Sequence, residues 1–205
     1  MEELRGIYKR KEGEILKRLS EFSNLKKADE GTLFYELCFC ILAVQTSGIR
    51  SWKVAERLKE SGFYNNGALP TKFLREGYIR FHNNKARHLL EARQKFPEIM
   101  KKVKEIKDEA ELRDWLVNNV KGLGMKEASH FLRNIGFTQN LAIIDRHILK
   151  NMLRYEIIEE IPKSLTRKKY LELEEKFQGF SKGMGMKPAE LDLLLWAKEV
   201  GVVFK

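Results

Sequence analysis

No stretch of this chain alternates apolar and polar residues with period two, the pattern a half-buried strand requires. Apolar residues recur at helical spacing almost from end to end. That predicts an all-α fold, and its 205 residues suffice for one large domain or two small ones.

In chain order, residues 2–24 place Leu4, Ile7, Tyr8, Ile15, Leu16, Leu19 and Phe22 near helical spacing. Thr32 is a candidate cap for a second helix through about Val44. That segment is apolar on most sides and so belongs in the core. It runs into the small polar stretch Gln45-Thr46-Ser47-Gly48, where Ser47 is placed to cap a helix over 49–60. Residues 63–70 are expected to form a loop turning at Asn66-Gly67, with Pro70 opening a short helix. A loop with Tyr78 and Phe81 precedes a basic helix bearing Lys85, Arg87, His88 and Arg93, and Pro97 is expected to start another short helix. Asp108 with Glu111 opens a helix over 109–119, with Leu112, Trp115, Leu116 and Val120 as its stripe. Further helices are predicted from Asp145 to about Tyr155, over 167–177, and from Pro188 to Gly201.

Lys and Arg number 39 against 29 acidic residues, a net charge of +10. This balance favours polyanionic partners, nucleic acid or an anionic surface, against the plainer reading of a basic solvated face. No apolar run is long enough to span a membrane. The N-terminus lacks a signal peptide's apolar core, so a cytoplasmic location is expected. Cys38 and Cys40 stand two apart in an apolar segment and are expected to be buried small hydrophobes rather than a disulfide or metal pair. His82, His88, His130 and His147 show no ligand spacing, so no metal site is expected.

The segment from Lys121 to His147 carries the candidate chemistry. Gly122-Leu123-Gly124 bounds a hairpin between two predicted helices, a helix–hairpin–helix over about 109–136, with Gly136 as the stop. Such a turn points free N–H groups outward and suits phosphates, although Gly-x-Gly also occurs in ordinary αα-turns. Lys121, Lys126 and Arg133 add charge nearby. A partly desolvated lysine among other cations is a candidate amine nucleophile, able to form a Schiff base with a carbonyl-like carbon. A carboxylate beside it would stabilise positive charge developing on a sugar. Asp145 is the candidate, and its default role at a helix start is an N-cap. His130 lies four residues after Lys126; it and His147 are expected to pack or support rather than act as bases.

The stretch KGLGMKEASHFLRNIG with the downstream AIIDRHIL closely resembles the helix–hairpin–helix DNA glycosylases, specifically the type 2 8-oxoguanine DNA glycosylase/AP lyases. The resemblance extends through FYELCFCILA, Arg80 to Arg93, IPKSLTRKKYLELE and the LDLLLWAKEVGVVFK ending. It implies two helical lobes, residues 1–28 with 141–205 and residues 29–140, with double-stranded DNA in the cleft between them. It implies a monomer that excises 8-oxoguanine through Lys126 as the Schiff-base lysine, with Asp145 as the catalytic carboxylate, and then nicks the abasic site by β-elimination. Phe81 and Trp196 would sandwich the extruded base, and Asp192 and the terminal carboxylate of Lys205 would read its edge; core packing is the other reading of both aromatics. The hairpin at Lys121, Gly122 and Gly124 would grip phosphates, with a monovalent cation on its carbonyls and no other cofactor. The chain departs from the family where a longer loop is expected after the core helix: it has LAVQTSGIR, and Gln45 would fill the gap left by the extruded base.

KGLGMK at 121–126 recurs as KGMGMK at 182–187. The flanks differ, and Pro188 disfavours helical geometry at Lys187, so the second copy is read as a decoy. Rival readings are a non-enzymatic helix–hairpin–helix DNA-binding protein, a related enzyme for another lesion, and a basic scaffold for RNA or protein.

Overall fold

Residues 33–42 are almost unbroken apolar sequence, and a helix without a polar face has to be wrapped by others. The computed structural model describes residues 2–205 and shows how the chain does this. Its helices are α1 (Glu2–Asn24), α2 (Glu30–Ala43), α3 (Gly48–Glu60), α4 (Phe63–Asn66), α5 (Thr71–Glu76), α6 (His82–Glu105), α7 (Glu109–Asn119), α8 (Met125–Asn134), α9 (Arg146–Arg154), α10 (Arg167–Gly183) and α11 (Pro188–Val200). The described residues contain no strand, and none of their helices is long and apolar enough to cross a membrane. The chain divides into two compact units, one spanning Lys27–Ile135 and the other running to Lys26 and resuming from Gly136 to Lys205.

In the first unit α2 is central, buried at every position from Leu33 to Leu42, and α3, α6 and α8 pack on it. Cys38 and Cys40 are both fully buried and form no disulfide, and burial pushes the Cys38 thiol well above its usual range. Thr32 is not the cap. The helix starts three residues earlier, at Glu30, and Asp29 accepts the Thr32 N–H at 2.9 Å and its hydroxyl at 2.7 Å. Asp29 reaches the third helical N–H, which Thr32 would have left unpaired. Ser47 stands at the start of α3 but makes no side-chain cap bond.

Residues 63–66 form one helical turn rather than loop, framed by Gly62 and Gly67 in left-handed conformation. Arg93 holds that turn from below, donating to the Phe63 carbonyl at 3.1 Å and stacking on its ring. Pro97 does not open a new helix: α6 runs through it. Proline removes one backbone bond, while Phe96, Ile99 and Met100 on either side are buried and keep the helix in register.

In the second unit α1 packs on α11, which also meets α9 and α10. The Tyr8 hydroxyl donates to Glu190 across the α1–α11 contact. α10 continues to Gly183, six residues past the expected end at Phe177, and Thr166 caps it by accepting the Lys169 N–H at 3.2 Å. Gly136 has φ +70°, and a Cβ there would sit 2.3 Å from the Phe22 carbonyl oxygen. Only glycine permits that backbone contact.

Candidate active site

The hairpin between α7 and α8 is shaped by its glycines and by one carboxylate. Gly122 turns with φ +91°, and a Cβ on it would lie 2.8 Å from His88 Nδ1 and 3.4 Å from Ile41. The turn is therefore pressed against α6 and α2. The Leu123 N–H donates to the Val120 carbonyl at 3.2 Å, and Leu123 itself is buried. Glu127 reaches back from the first turn of α8 to accept the Gly124 N–H at 3.2 Å. The sequence offered a signal for this contact in the Gly124–Glu127 spacing, a capping-box pattern with glycine at the cap.

Lys126 is the second residue of α8, with 21 % of its side chain exposed. Glu127 lies 4.0 Å from its ammonium, and no described residue accepts a hydrogen bond from it. Lys121 is exposed at the hairpin and pairs with Glu91 at 3.3 Å. His130 is buried further along α8, edge-on to Phe39 at 5.2 Å.

Arg133 does not belong to this charged rim. It is only 1 % exposed and donates to the Asn134 side chain at 3.1–3.2 Å, while Asn134 donates to Glu36 on α2 at 3.0 Å. Arg113 is likewise buried and donates to Ser129 at 3.3 Å, while Trp115, expected in the α7 stripe, is only half-buried. These polar groups join α7, α8 and α2 inside the unit.

The same unit carries Gln45 and Phe81. Gln45 is exposed just past the end of α2, with φ +49°. Phe81 is 53 % exposed at the start of α6, with φ +56°, the Arg80 guanidinium lying 5.5 Å from its ring centre. Tyr78 in the same loop is also exposed and left-handed. Non-glycine residues held in this region are strained, and such strain concentrates at functional loops.

Lys85, which the sequence places on a basic helix, is 4 % exposed. Its ammonium donates to the Leu42 and Val44 carbonyls at 2.8 and 2.6 Å and to the Thr46 hydroxyl at 3.1 Å. Burial lowers its pKa to about 8, partly offset by Glu127 and reinforced by Arg80. Sequence could not reveal this, since the acceptors lie about 40 residues upstream.

In the second unit, Asp145 is the N-cap of α9. Its Oδ1 accepts the N–H groups of His147 and Ile148 at 2.8 and 2.9 Å, and the residue is half-buried. His147, in the first turn, packs edge-on against Trp196 of α11 at 5.4 Å. His147 Nδ1 and Trp196 Nε1 are buried without a hydrogen-bond partner among the described residues. Asp192 lies one turn before Trp196 on α11 and is 8 % exposed, and Lys205 closes the chain half-buried. Thus Asp145, His147 and Trp196 form one connected cluster, with Asp192 on the Trp196 face of α11.

The repeated hexapeptide is a different turn. Gly183 still lies in α10, and the left-handed glycine is Gly185, at the place corresponding to Gly124. Lys187 is extended, with ψ 154°, ahead of Pro188, whereas Lys126 is helical.

Comparison with known proteins fits this framework of α-helices and hairpin. Residues 15–186 match the family model described as 8-oxoguanine DNA glycosylase. The 8-oxoguanine DNA glycosylase/AP lyase of Fusobacterium nucleatum is 42 % identical over 209 residues, covering 99 % of this chain and 96 % of that protein. The protein of the same name from Methanocaldococcus jannaschii is 39 % identical over 196 residues, covering 93 % and 91 %. The crystal structure of the 8-oxoguanine DNA glycosylase of Thermotoga maritima aligns with a TM-score of 0.90 at 35 % identity, covering 100 % of this chain and 97 % of that one. The Methanocaldococcus jannaschii 8-oxoguanine glycosylase/lyase in complex with a 15mer DNA containing 8-oxoguanine aligns at 0.91 and 35 % identity, covering both chains fully. The fold and hairpin define a helix–hairpin–helix protein of the DNA-glycosylase class. Within that class, the chain belongs to the 8-oxoguanine DNA glycosylase family.

Proposed function

We propose that this protein excises 8-oxoguanine from double-stranded DNA and then cleaves the resulting abasic site. The reading rests on family membership and on one feature of the site: Lys126, presented in the first turn of α8 by the hairpin, with no hydrogen bond holding its amine. The amine attacks C1′ of the damaged nucleotide as the bond from C1′ to the base breaks, and the base leaves with the bonding pair and acquires a proton. Opening of the sugar gives the Schiff base. Loss of a C2′ proton then expels the 3′ phosphate by β-elimination, and water releases Lys126. Asp145 assists the attack and stabilises positive charge on the sugar, its Oδ2 being left over from the cap bonds that Oδ1 accepts.

Phe81 and Trp196 sandwich the extruded base, Asp192 and the Lys205 carboxylate read its edge, and Gln45 occupies the vacated stack. Lys121 and the N–H groups at Gly122 and Gly124 hold phosphates. The protein acts as a monomer. Among the described residues no N–H donates to the carbonyls of Lys121, Gly122 or Leu123, whereas those of Val120 and Gly124 are engaged. Such oxygen donors fit a monovalent cation, which would add positive charge beside the phosphate.

Borohydride trapping on an 8-oxoguanine duplex tests the reading. A covalent adduct with wild type that vanishes in Lys126→Gln is expected. No adduct with damaged DNA would leave a non-enzymatic DNA-binding protein, and adduct only with other lesions or abasic sites would move the substrate.

A further inference from the structure

Lys85 has no part in the proposed chemistry, yet it joins two of the loops assigned to the substrate. Its ammonium bonds on both sides of Gln45: to Leu42 and Val44 before it and to Thr46 after it. The Leu42 and Val44 carbonyls belong to the end of α2, where a helix leaves acceptors unpaired and carries partial negative charge. A lysine buried there stabilises the exit of the chain and fixes the left-handed turn at Gln45. On the other side, the Lys85 backbone N–H donates to the Phe81 carbonyl at 3.0 Å. The Lys85 side chain thus ties the turn that exposes Gln45 to the first turn of α6, whose N-cap is Phe81, and Gln45 and Phe81 are both held in backbone conformations that side chains avoid.

We propose that Lys85 is a positioning residue for base extrusion: it sets Gln45 relative to Phe81, so that filling the gap and capturing the base occur together. The inference rests on the reading above, in which Gln45 enters the stack and Phe81 holds the base. Two other side chains bond to these loops, and neither spans both turns. Thr46 supplies one hydroxyl, and its own bond to Val44 is 3.3 Å, while Arg50 reaches only the Tyr78 carbonyl at 3.5 Å. The role also fits the chemistry of extrusion. An intact base must be unpaired and unstacked before it is captured, whereas an abasic site has no base to displace and little stacking to replace. Excision should therefore depend on Lys85 far more than strand cleavage at a preformed abasic site does.

The test compares wild type, Lys85→Met, Gln45→Ala and the double variant on an 8-oxoguanine duplex and on a preformed abasic duplex. Amide hydrogen exchange over residues 43–47 is measured in parallel. Lys85→Met is expected to lower kcat/KM for excision at least tenfold, to change abasic-site cleavage less than threefold, and to speed exchange at 43–47. In the Gln45→Ala background its effect on excision should shrink below threefold. Parallel loss of both activities, or an equal effect of Lys85→Met with and without Gln45, would overturn the proposal. Should Lys85→Met not fold, Thr46→Val removes one acceptor, and the same selective loss at about threefold is expected; equal loss of both activities overturns it. If wild type excises nothing while exchange at 43–47 still rises in Lys85→Met, the functional reading fails and the tie between Lys85 and the loop stands.

Discussion

Asp145 carries two assignments that one pair of substitutions separates. As a cap, it satisfies the His147 and Ile148 N–H groups through Oδ1 at 2.8 and 2.9 Å. As a carboxylate, it is assigned the charge that develops on the sugar. Asn keeps an oxygen at the cap and loses the charge, whereas Ala loses both. Losing an N-cap costs about 1 kcal/mol, so Asp145→Ala should lower the melting temperature by roughly 2–4 °C. Asp145→Asn should cost only about 0.3–1 kcal/mol, the loss of a negative charge at the start of α9. Single-turnover excision should fall by about 10²–10³ in both variants, the range for removing one preorganised electrostatic group. Thermal denaturation and single-turnover assays, run on the same preparations, give the two numbers. Wild-type excision by Asp145→Asn would refute the catalytic assignment and leave Asp145 a cap. Excision loss that tracks lost stability in both variants would refute it equally.

Gly136→Ala places a Cβ 2.3 Å from the Phe22 carbonyl at a left-handed position. It should cost more than about 2 kcal/mol, measured by urea denaturation. Glu36→Ala breaks the buried chain through Asn134 to Arg133 and should destabilise by about 3–5 kcal/mol. Lys85 has a folded-state pKa near 8, below its ordinary 10.5. Between those values the unfolded chain binds more protons, so this residue makes stability rise with pH from about 8 to 10.5 and contributes no slope below. Across that window wild type should gain about 3 kcal/mol relative to Lys85→Met, read from denaturant melts at several pH values.

What could be read ahead depended on range. Helix periods, the hairpin glycines, the Asp108 cap and the burial of Cys38 and Cys40 follow from neighbours a few residues apart. Asp145 at a helix start was legible for the same reason. Arg133 reads from sequence as one of the charges near the hairpin, because its burial is decided by a chain of bonds ending at Glu36, which lies 98 residues from Asn134. Lys85 reads from sequence only as one cation of a basic helix, because its acceptors are on another helix end. Thr32 and Ser47 are good cap residues by type, but Asp29 took one site and Ser47 uses its hydroxyl for no cap bond. Pro97 is a strong local breaker, and the buried residues beside it outweighed the one bond it removes.

The two near-identical hexapeptides carry a lesson about where a turn's instructions reside. At 182–187 a Cβ on either glycine would meet nothing within 4 Å, and Pro188 sets the exit. The glycines of that bend are open to solvent, and its exit is tied down beyond them, where the Ala189 N–H donates to the Gln139 carbonyl at 3.1 Å. At 121–126 the first glycine packs so closely against His88 and Ile41 that a side chain there would collide with them. The turn assigned to DNA thus has α6 and α2 directly against it, and a larger side chain at 88 or 41 would press on it without altering a single one of its six residues.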